Sequence, residues 1–160
     1  MPTLVVVPCG QRKIWDDHPQ HGPAAARDAY TGTLFVLNRT YAERFGDDWL
    51  ILSAKYGFIA PDFIIPSPYN VTFKHHKTNP ISLDELVQQQ RQLALGRYTN
   101  VVALGGADYR HAVRLAFAST SVALAFPTAG LPIGKAMQAV RHALDGGSPL
   151  SAVALARQAK

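Results

Sequence analysis

Short apolar runs recur along the chain, and three of them end abruptly in small, charged or aromatic residues. Leu4-Val5-Val6-Val7-Pro8 gives way to Cys9-Gly10-Gln11-Arg12-Lys13. Leu50-Ile51-Leu52 runs into Ser53-Ala54-Lys55-Tyr56-Gly57, and Val101-Val102-Ala103-Leu104 into Gly105-Gly106-Ala107-Asp108-Tyr109. Continuous aliphatic runs of this length suit strands buried on both faces. The pattern predicts strands over Thr3–Pro8, Trp49–Leu52, Tyr98–Leu104 and Ser121–Phe126, with Pro8 marking an exit from the ladder.

Between these runs the apolar spacing changes to three and four. Leu34, Leu37, Tyr41 and Phe45 predict a helix over Leu34–Phe45, with Thr31 or Thr33 as cap and Gly46 as its stop. Ser82, with Glu85 three residues on, opens a second helix to Leu95. Its stripe is Leu83, Leu86, Val87, Leu93 and Ala94, and its glutamine-rich face points outward. Further helices are predicted over Ala107–Ala118, Lys135–Leu144 and Pro149–Ala159, the last capped by Ser148. Ile14–Pro23 has no periodicity and reads as a loop; Ala24–Ala29 reads as a helical turn. Phe58–Asn70, interrupted by prolines, reads as an extended segment wrapping the sheet edge, with a short strand near Phe63–Ile65. Lys74–Lys77 is a basic loop. Strands alternating with helices predict an α/β fold, a mainly parallel sheet of about four to five strands covered on both faces. No repeat or linker divides residues 1–160, so one domain is expected.

Composition narrows this picture little. The chain has 160 residues, 48% hydrophobic and 17% charged, and a formal net charge of +5. That excess favours anionic partners such as nucleic acid or nucleotides. The single cysteine, Cys9, excludes an intramolecular disulfide and a four-cysteine zinc site. No apolar run approaches the roughly 18 residues of a membrane span, and the N-terminal run is too short for a signal peptide. A cytoplasmic protein without membrane attachment is expected. His75-His76 lacks a third ligand at helical spacing, so no metal is expected, nor any cofactor.

The candidate chemistry sits at the strand tips, where open α/β sheets place their ligand sites. Cys9, beside Arg12 and Lys13, is a candidate nucleophile; the alternative is a small core residue. Gly10, Arg12 and Lys13 suit an anionic group, although the glycine spacing of a P-loop is missing. Lys55 can hold a phosphate or act as a nucleophile when desolvated. Ser53, Tyr56 and Gly57 would line the same wall, with Tyr56 stacking on a base. Pro66-Ser67-Pro68 would hold Tyr69 rigidly. Gly105 and Gly106 permit close approach at a helix N-terminus. Asp108 is either a catalytic acid or an ordinary first-turn carboxylate. Gly130-Leu131-Pro132-Ile133-Gly134 is either a loop for an anion or simple packing.

The run Ser53, Tyr56, Gly57, Ile59, Pro61, then Pro68-Tyr69, resembles the S-x-x-Y-G-x-(I/L)-x-P…P-Y pattern of the YaaA-like group of bacterial proteins. Short members of that group also carry C-x-x-(R/K)-K, Tyr-Thr-Gly and G-L-x-I-G, matched here by Cys9–Lys13, Tyr30–Gly32 and Gly130–Gly134. The resemblance runs from about residue 4 to residue 140. It implies a three-layer α/β/α fold similar to uracil-DNA glycosylase, and a role around nucleic acids or modified bases, with DNA binding and stress response among the group's associations. It also brings Tyr30 and Gly130 into the expected site. The G-Q-D-P-Y and H-P-S motifs of true uracil-DNA glycosylases are absent.

The expected function is therefore binding of a nucleobase or nucleotide with cleavage or exchange of an N-glycosidic bond. Asp108 or Asp62 would be the acid or base, Lys55, Arg12 and Lys13 would hold phosphate, and Tyr56 and Tyr69 would sandwich the base. Cys9 is the covalent alternative. The competing expectations are a non-catalytic DNA- or nucleotide-binding module and a stress-related protein with a vestigial pocket.

Overall fold

The structure, a computed structural model, describes residues 2–150. Its centre is a five-stranded sheet built on β1 (Thr3–Pro8), β3 (Asp48–Ser53), β4 (Gly57–Ile59), β6 (Asn100–Ala103) and β7 (Ala123–Ala125), in the order β4-β3-β1-β6-β7. β3, β1, β6 and β7 run parallel; β4 alone is antiparallel, against β3. β1 lies in the middle, and Leu4 to Pro8 are all buried, as a run flanked by strands and covered on both faces requires.

Alternate residues of β1 feed two cores. Val5 and Val7 pack toward α3 (Thr33–Phe45) and α6 (Ile133–Gly146), which contact each other. Leu4 and Val6 pack toward α4 (Leu83–Gln92) and α5 (Ala107–Ala116) on the opposite face. The mixed α/β architecture and mainly parallel sheet match the expectation. Three small pieces lie between β1 and α3: the helical turns α1 (Ile14–Asp17) and α2 (Ala26–Ala29), and β2 (Ala24–Ala25), which pairs antiparallel with β5 (Ile64–Ile65).

Several local expectations are corrected. Ile14–Pro23 is not wholly loop: Asp16 Oδ2 accepts the Lys13 backbone N–H at 2.8 Å and folds α1 over it. Neither Thr31 nor Thr33 caps α3; its N-cap is Gly32, and the buried hydroxyl of Thr31 has no partner among the described residues. Of the expected stripe of α3, Tyr41 is buried and Leu37 and Phe45 pack against the same core, while Phe35, Asn38 and Ala42 are the further buried positions. Gly46 stops the helix in extended conformation. An added Cβ there would lie 2.8 Å from the Asp48 carbonyl and 2.9 Å from Val5 Cγ2, so closeness to the sheet, not a left-handed cap, demands glycine. α4 ends at Gln92 because Ala94 turns to a φ of 53°, and Leu93 lies outside the helix. Its glutamines do not all face outward: Gln90 is buried, and Gln89 Oε1 accepts the Phe58 N–H at 2.9 Å while its Nε2 donates to the Tyr56 carbonyl at 2.9 Å. That amide closes the open edge of β4, an exposed-strand liability in an edge position. The helix expected over Pro149–Ala159 lies almost entirely outside the described residues. No helix among the described residues is long and apolar enough to cross a membrane.

Candidate functional site

Parallel register brings the strand tips together. Cys9 N–H donates to the Leu52 carbonyl at 3.0 Å, and Leu104 N–H to the Val6 carbonyl at 3.0 Å, so the ladder continues across all three exits. Beyond them Cys9 Sγ lies 3.2 Å from the Tyr109 hydroxyl, which also reaches the Cys9 carbonyl at 3.4 Å. Two tips a hundred residues apart in sequence thus share one contact.

The wall beside them is a chain of hydroxyls. Ser53, fully buried, accepts the backbone N–H groups of Lys55 at 3.2 Å and Tyr56 at 3.1 Å. Its proton is left for the Tyr69 oxygen, 2.9 Å away. Tyr69 in turn is hydrogen-bonded to Tyr30. Burial pushes the hydroxyls of Tyr30, Tyr69 and Tyr109 above the usual phenol value, with the neighbouring Cys9 acting in the same direction. All three are neutral hydrogen-bonding groups at physiological pH.

Among the described residues Lys13 is the one charged residue buried in this wall. It is 7% exposed, bridged to Tyr30 by backbone pairing, and it enters α1 with its own N–H held by Asp16. Its Nζ donates to the Gln11 carbonyl at 3.1 Å and stands 4.6 Å from the Tyr69 ring centroid, a cation–π distance. Its amine has no ion pair among the described residues. Burial lowers its pKa from the usual lysine value, partly offset by Cys9 and Asp16. Arg12, next to it, behaves oppositely. It is exposed and holds Asp17 through both carboxylate oxygens, at 2.7 and 2.9 Å.

Two clefts open above this wall. One, of about 710 Å³, is bordered by Cys9, Gly10, Lys13, Tyr109 and the basic loop residues Lys74 and His75. The other, of about 550 Å³, is bordered by Gln11, Lys13, Asp16, Pro68, Tyr69 and Asn70. Lys13 belongs to both. A third, of about 450 Å³, lies at the start of α5, where Gly105, Gly106 and Asp108 border it.

The expected site residues sort accordingly. Cys9, Gly10, Lys13 and Tyr69 border the first two clefts. Tyr30 and Ser53 lie beneath and hold Tyr69 in place. Lys55 is exposed, with Nζ 5.2 Å from the Tyr56 ring and 5.5 Å from the Tyr69 ring. Tyr56 does not form a sandwich with Tyr69: the rings meet edge to face at 85° with centroids 5.4 Å apart, and Tyr56 packs on Phe63 as well. Gly57 is a structural glycine, with a φ of 76° and Gln89 Oε1 2.1 Å from where a Cβ would stand. Asp62 is exposed in the turn before β5, and Gly130 is exposed with a φ of 78°; neither borders any of these clefts. Tyr109, Asn70 and the buried Asn38 were not singled out as site residues. For Tyr109 the signal was present, one residue beyond Asp108 at a strand tip.

Among the described residues no three His, Cys, Asp or Glu side chains converge as a metal site. What the arrangement offers is a desolvated primary amine, a thiol and a row of neutral phenols at the carboxyl ends of parallel strands. That is the place and the chemistry of an α/β ligand site.

The chain belongs to a family of unknown function (DUF6884), whose model matches residues 4–142. It is 40% identical over 110 residues to "Uncharacterized protein YfjM" of Bacillus subtilis (strain 168), covering 69% of this chain and 73% of that protein. Among solved structures it is similar to the crystal structure of AF0587, a protein of unknown function, at 14% identity and a TM-score of 0.48. That likeness covers 89% of this chain, which spans only 43% of the AF0587 chain.

Proposed function

We propose that the protein binds a nucleobase or nucleotide in the clefts around Lys13 and cleaves or exchanges an N-glycosidic bond, with Lys13 as the nucleophile. The observation that carries this reading is Lys13: a buried residue whose amine makes no carboxylate ion pair among the described residues, has its pKa lowered by burial, and borders two clefts. A neutral amine is the nucleophilic form, and desolvation, which lowers the Lys13 pKa here, moves a lysine toward it. In the reaction its nitrogen bonds to C1′ as the C1′–base bond breaks, and the proton lost from nitrogen goes to the departing base. The aminal then opens, C1′–O4′ breaking and O4′ taking a proton from solvent, to leave a Schiff base that water or an incoming base resolves. Tyr69 and Tyr109 offer neutral hydroxyls to the sugar and base, and Lys55, Lys74 and His75 give the rim an affinity for phosphate. A site at the tips of a mainly parallel sheet suits the reading, and the net charge of +5 favours a nucleic-acid or nucleotide partner.

A second reading, non-catalytic binding of DNA or a nucleotide, is favoured by the carboxylates. Asp16 is occupied by the Lys13 N–H, Asp108 is exposed, and Asp62 lies away from the clefts. Base release from nucleosides and oligonucleotides, followed by chromatography, separates the two. Release that is lost in Lys13→Ala and kept in Cys9→Ser supports the amine. Release lost only in Cys9→Ser transfers the role to the thiol, and binding with no release in the wild type establishes the second reading.

A further inference from the structure

The cleft at the start of α5 joins the Lys13 cleft, since Leu34, Lys74, Tyr109 and Ile133 border both, and its inner end has no role in the chemistry above. Two polar side chains almost sealed from solvent border it, Asn38 from α3 at 2% exposure and Thr128 at 6%. Neither the Asn38 amide nor the Thr128 hydroxyl makes a hydrogen bond among the described residues. Neither is a sealed orphan, since Thr31 Oγ1 is the buried unpaired side-chain atom among the described residues; the two polar groups are instead open to the cleft, where a ligand can pair them.

The backbone supplies the rest. α5 is ten residues long, and its N-cap is Gly106, with no side chain to satisfy the first-turn N–H groups. Gly105 needs to be glycine, with a φ of 123° and Pro8 2.9 Å from where a Cβ would stand. Gly106 does not: a Cβ there would meet nothing within 4 Å. Its effect is to leave the positive pole of α5 uncovered and open to the cleft. Arg110 is fixed nearby, Nη1 donating to the Gly105 carbonyl at 3.1 Å, and Lys74 stands exposed at the shared rim.

We infer that this cleft holds a phosphate group, bound by the first-turn amides of α5, the Asn38 amide and the Thr128 hydroxyl, with Lys74 closing over it. The inference rests on the nucleotide reading, and makes the phosphate part of the ligand whose base or sugar meets Lys13. Asp108 borders the same cleft and is the one carboxylate at this pole, so it opposes an anion and sets its affinity.

The test is titration of the full chain with inorganic phosphate at fixed ionic strength, read by amide NMR, with acetate as the comparison anion. Saturable shifts are expected at the N–H groups of Ala107, Asp108 and Tyr109 and at the Asn38 side-chain amide. Asn38→Leu, and Gly106→Ser at an open surface position where misfolding is not at issue, are each expected to weaken binding about tenfold, the loss of one charge-assisted donor. Asp108→Asn is expected to tighten it severalfold. Unsaturable shifts, acetate binding as tightly as phosphate, or both weakening variants binding like the wild type would overturn the inference. Lys13→Met should leave the phosphate titration unchanged. Saturable phosphate binding together with an inert Lys13 would therefore refute the reaction but support this site, and a reacting Lys13 without phosphate binding the reverse.

Discussion

Replacing Gly57 by alanine breaks the protein in two separable ways. The first is local: the residue sits at a φ of 76°, and a left-handed conformation costs a residue with a Cβ about 1–2 kcal/mol. The second is a collision, because the new Cβ would stand 2.1 Å from Gln89 Oε1 and 2.8 Å from Gln89 Cδ. The Gln89 amide must leave, and with it go its bonds to the Phe58 N–H and the Tyr56 carbonyl. Each lost partner costs about 1–1.5 kcal/mol, more where the orphaned group stays buried. Together these give about 3–5 kcal/mol, in the range that marks a named structural fault. Urea unfolding of Gly57→Ala, Gln89→Ala and the double variant measures the coupling. In the Gln89→Ala background the Gly57→Ala cost should fall to the backbone part alone, about 1–2 kcal/mol. Equal costs in both backgrounds would show that Gln89 does not brace the β3–β4 turn that carries Lys55 and Tyr56.

Three further outcomes are expected. Lys13→Met should stabilise the fold at pH 7 by about 1 kcal/mol, the scale of a single stabilising substitution, while abolishing any reaction. Because the folded pKa of Lys13 lies below its unfolded one, the unfolded chain holds the extra proton, so wild-type stability rises with pH and the advantage of Lys13→Met should shrink as pH approaches 10. Tyr98, buried and donating to Asp48 at 2.6 Å, has its hydroxyl pushed up to about 12, first by burial and then by that bond. Its stability contribution is present below the unfolded phenol value and lost as pH rises from about 10 toward about 12; Tyr98→Phe should flatten that alkaline loss in equilibrium unfolding curves. Tyr69→Phe should cost about 1–3 kcal/mol in urea unfolding, since it strands the buried Ser53 and Tyr30 hydroxyls, and a loss under 0.5 kcal/mol would show that the hydroxyl chain is not formed.

The strands are legible because burial on both faces leaves an unmistakable run, as Leu4–Val7 shows, and the tips of those runs are where the candidate site is sought. Other features depend on contacts that no local pattern encodes. α1 exists through one Asp16 carboxylate turning back on Lys13, and four residues display no period. β4 was absorbed into a proline-broken segment because the prolines begin two residues after Phe58–Ile59. On α3, Asn38 occupies a buried position that a polar residue disguises, so the buried face is wider than the stripe of Leu34, Leu37, Tyr41 and Phe45. Tyr56 and Tyr69 were correctly placed near one another, yet ring orientation is a matter of tertiary packing, and the edge-to-face angle removes the slot that stacking needs. Arg12 and Lys13 read alike as adjacent cations. Only the backbone bridge to Tyr30 reveals that one is buried and the other is solvated against Asp17.

The central claim is that the Lys13 amine is the reactive group of the site. Borohydride reduction during incubation with an oligonucleotide or nucleoside substrate, followed by peptide mass mapping, tests it at the atom concerned. The account predicts a stable sugar adduct on Lys13, absent in Lys13→Ala and retained in Lys55→Ala. An adduct on Lys55, or base release that proceeds with no trapped lysine at all, would contradict it.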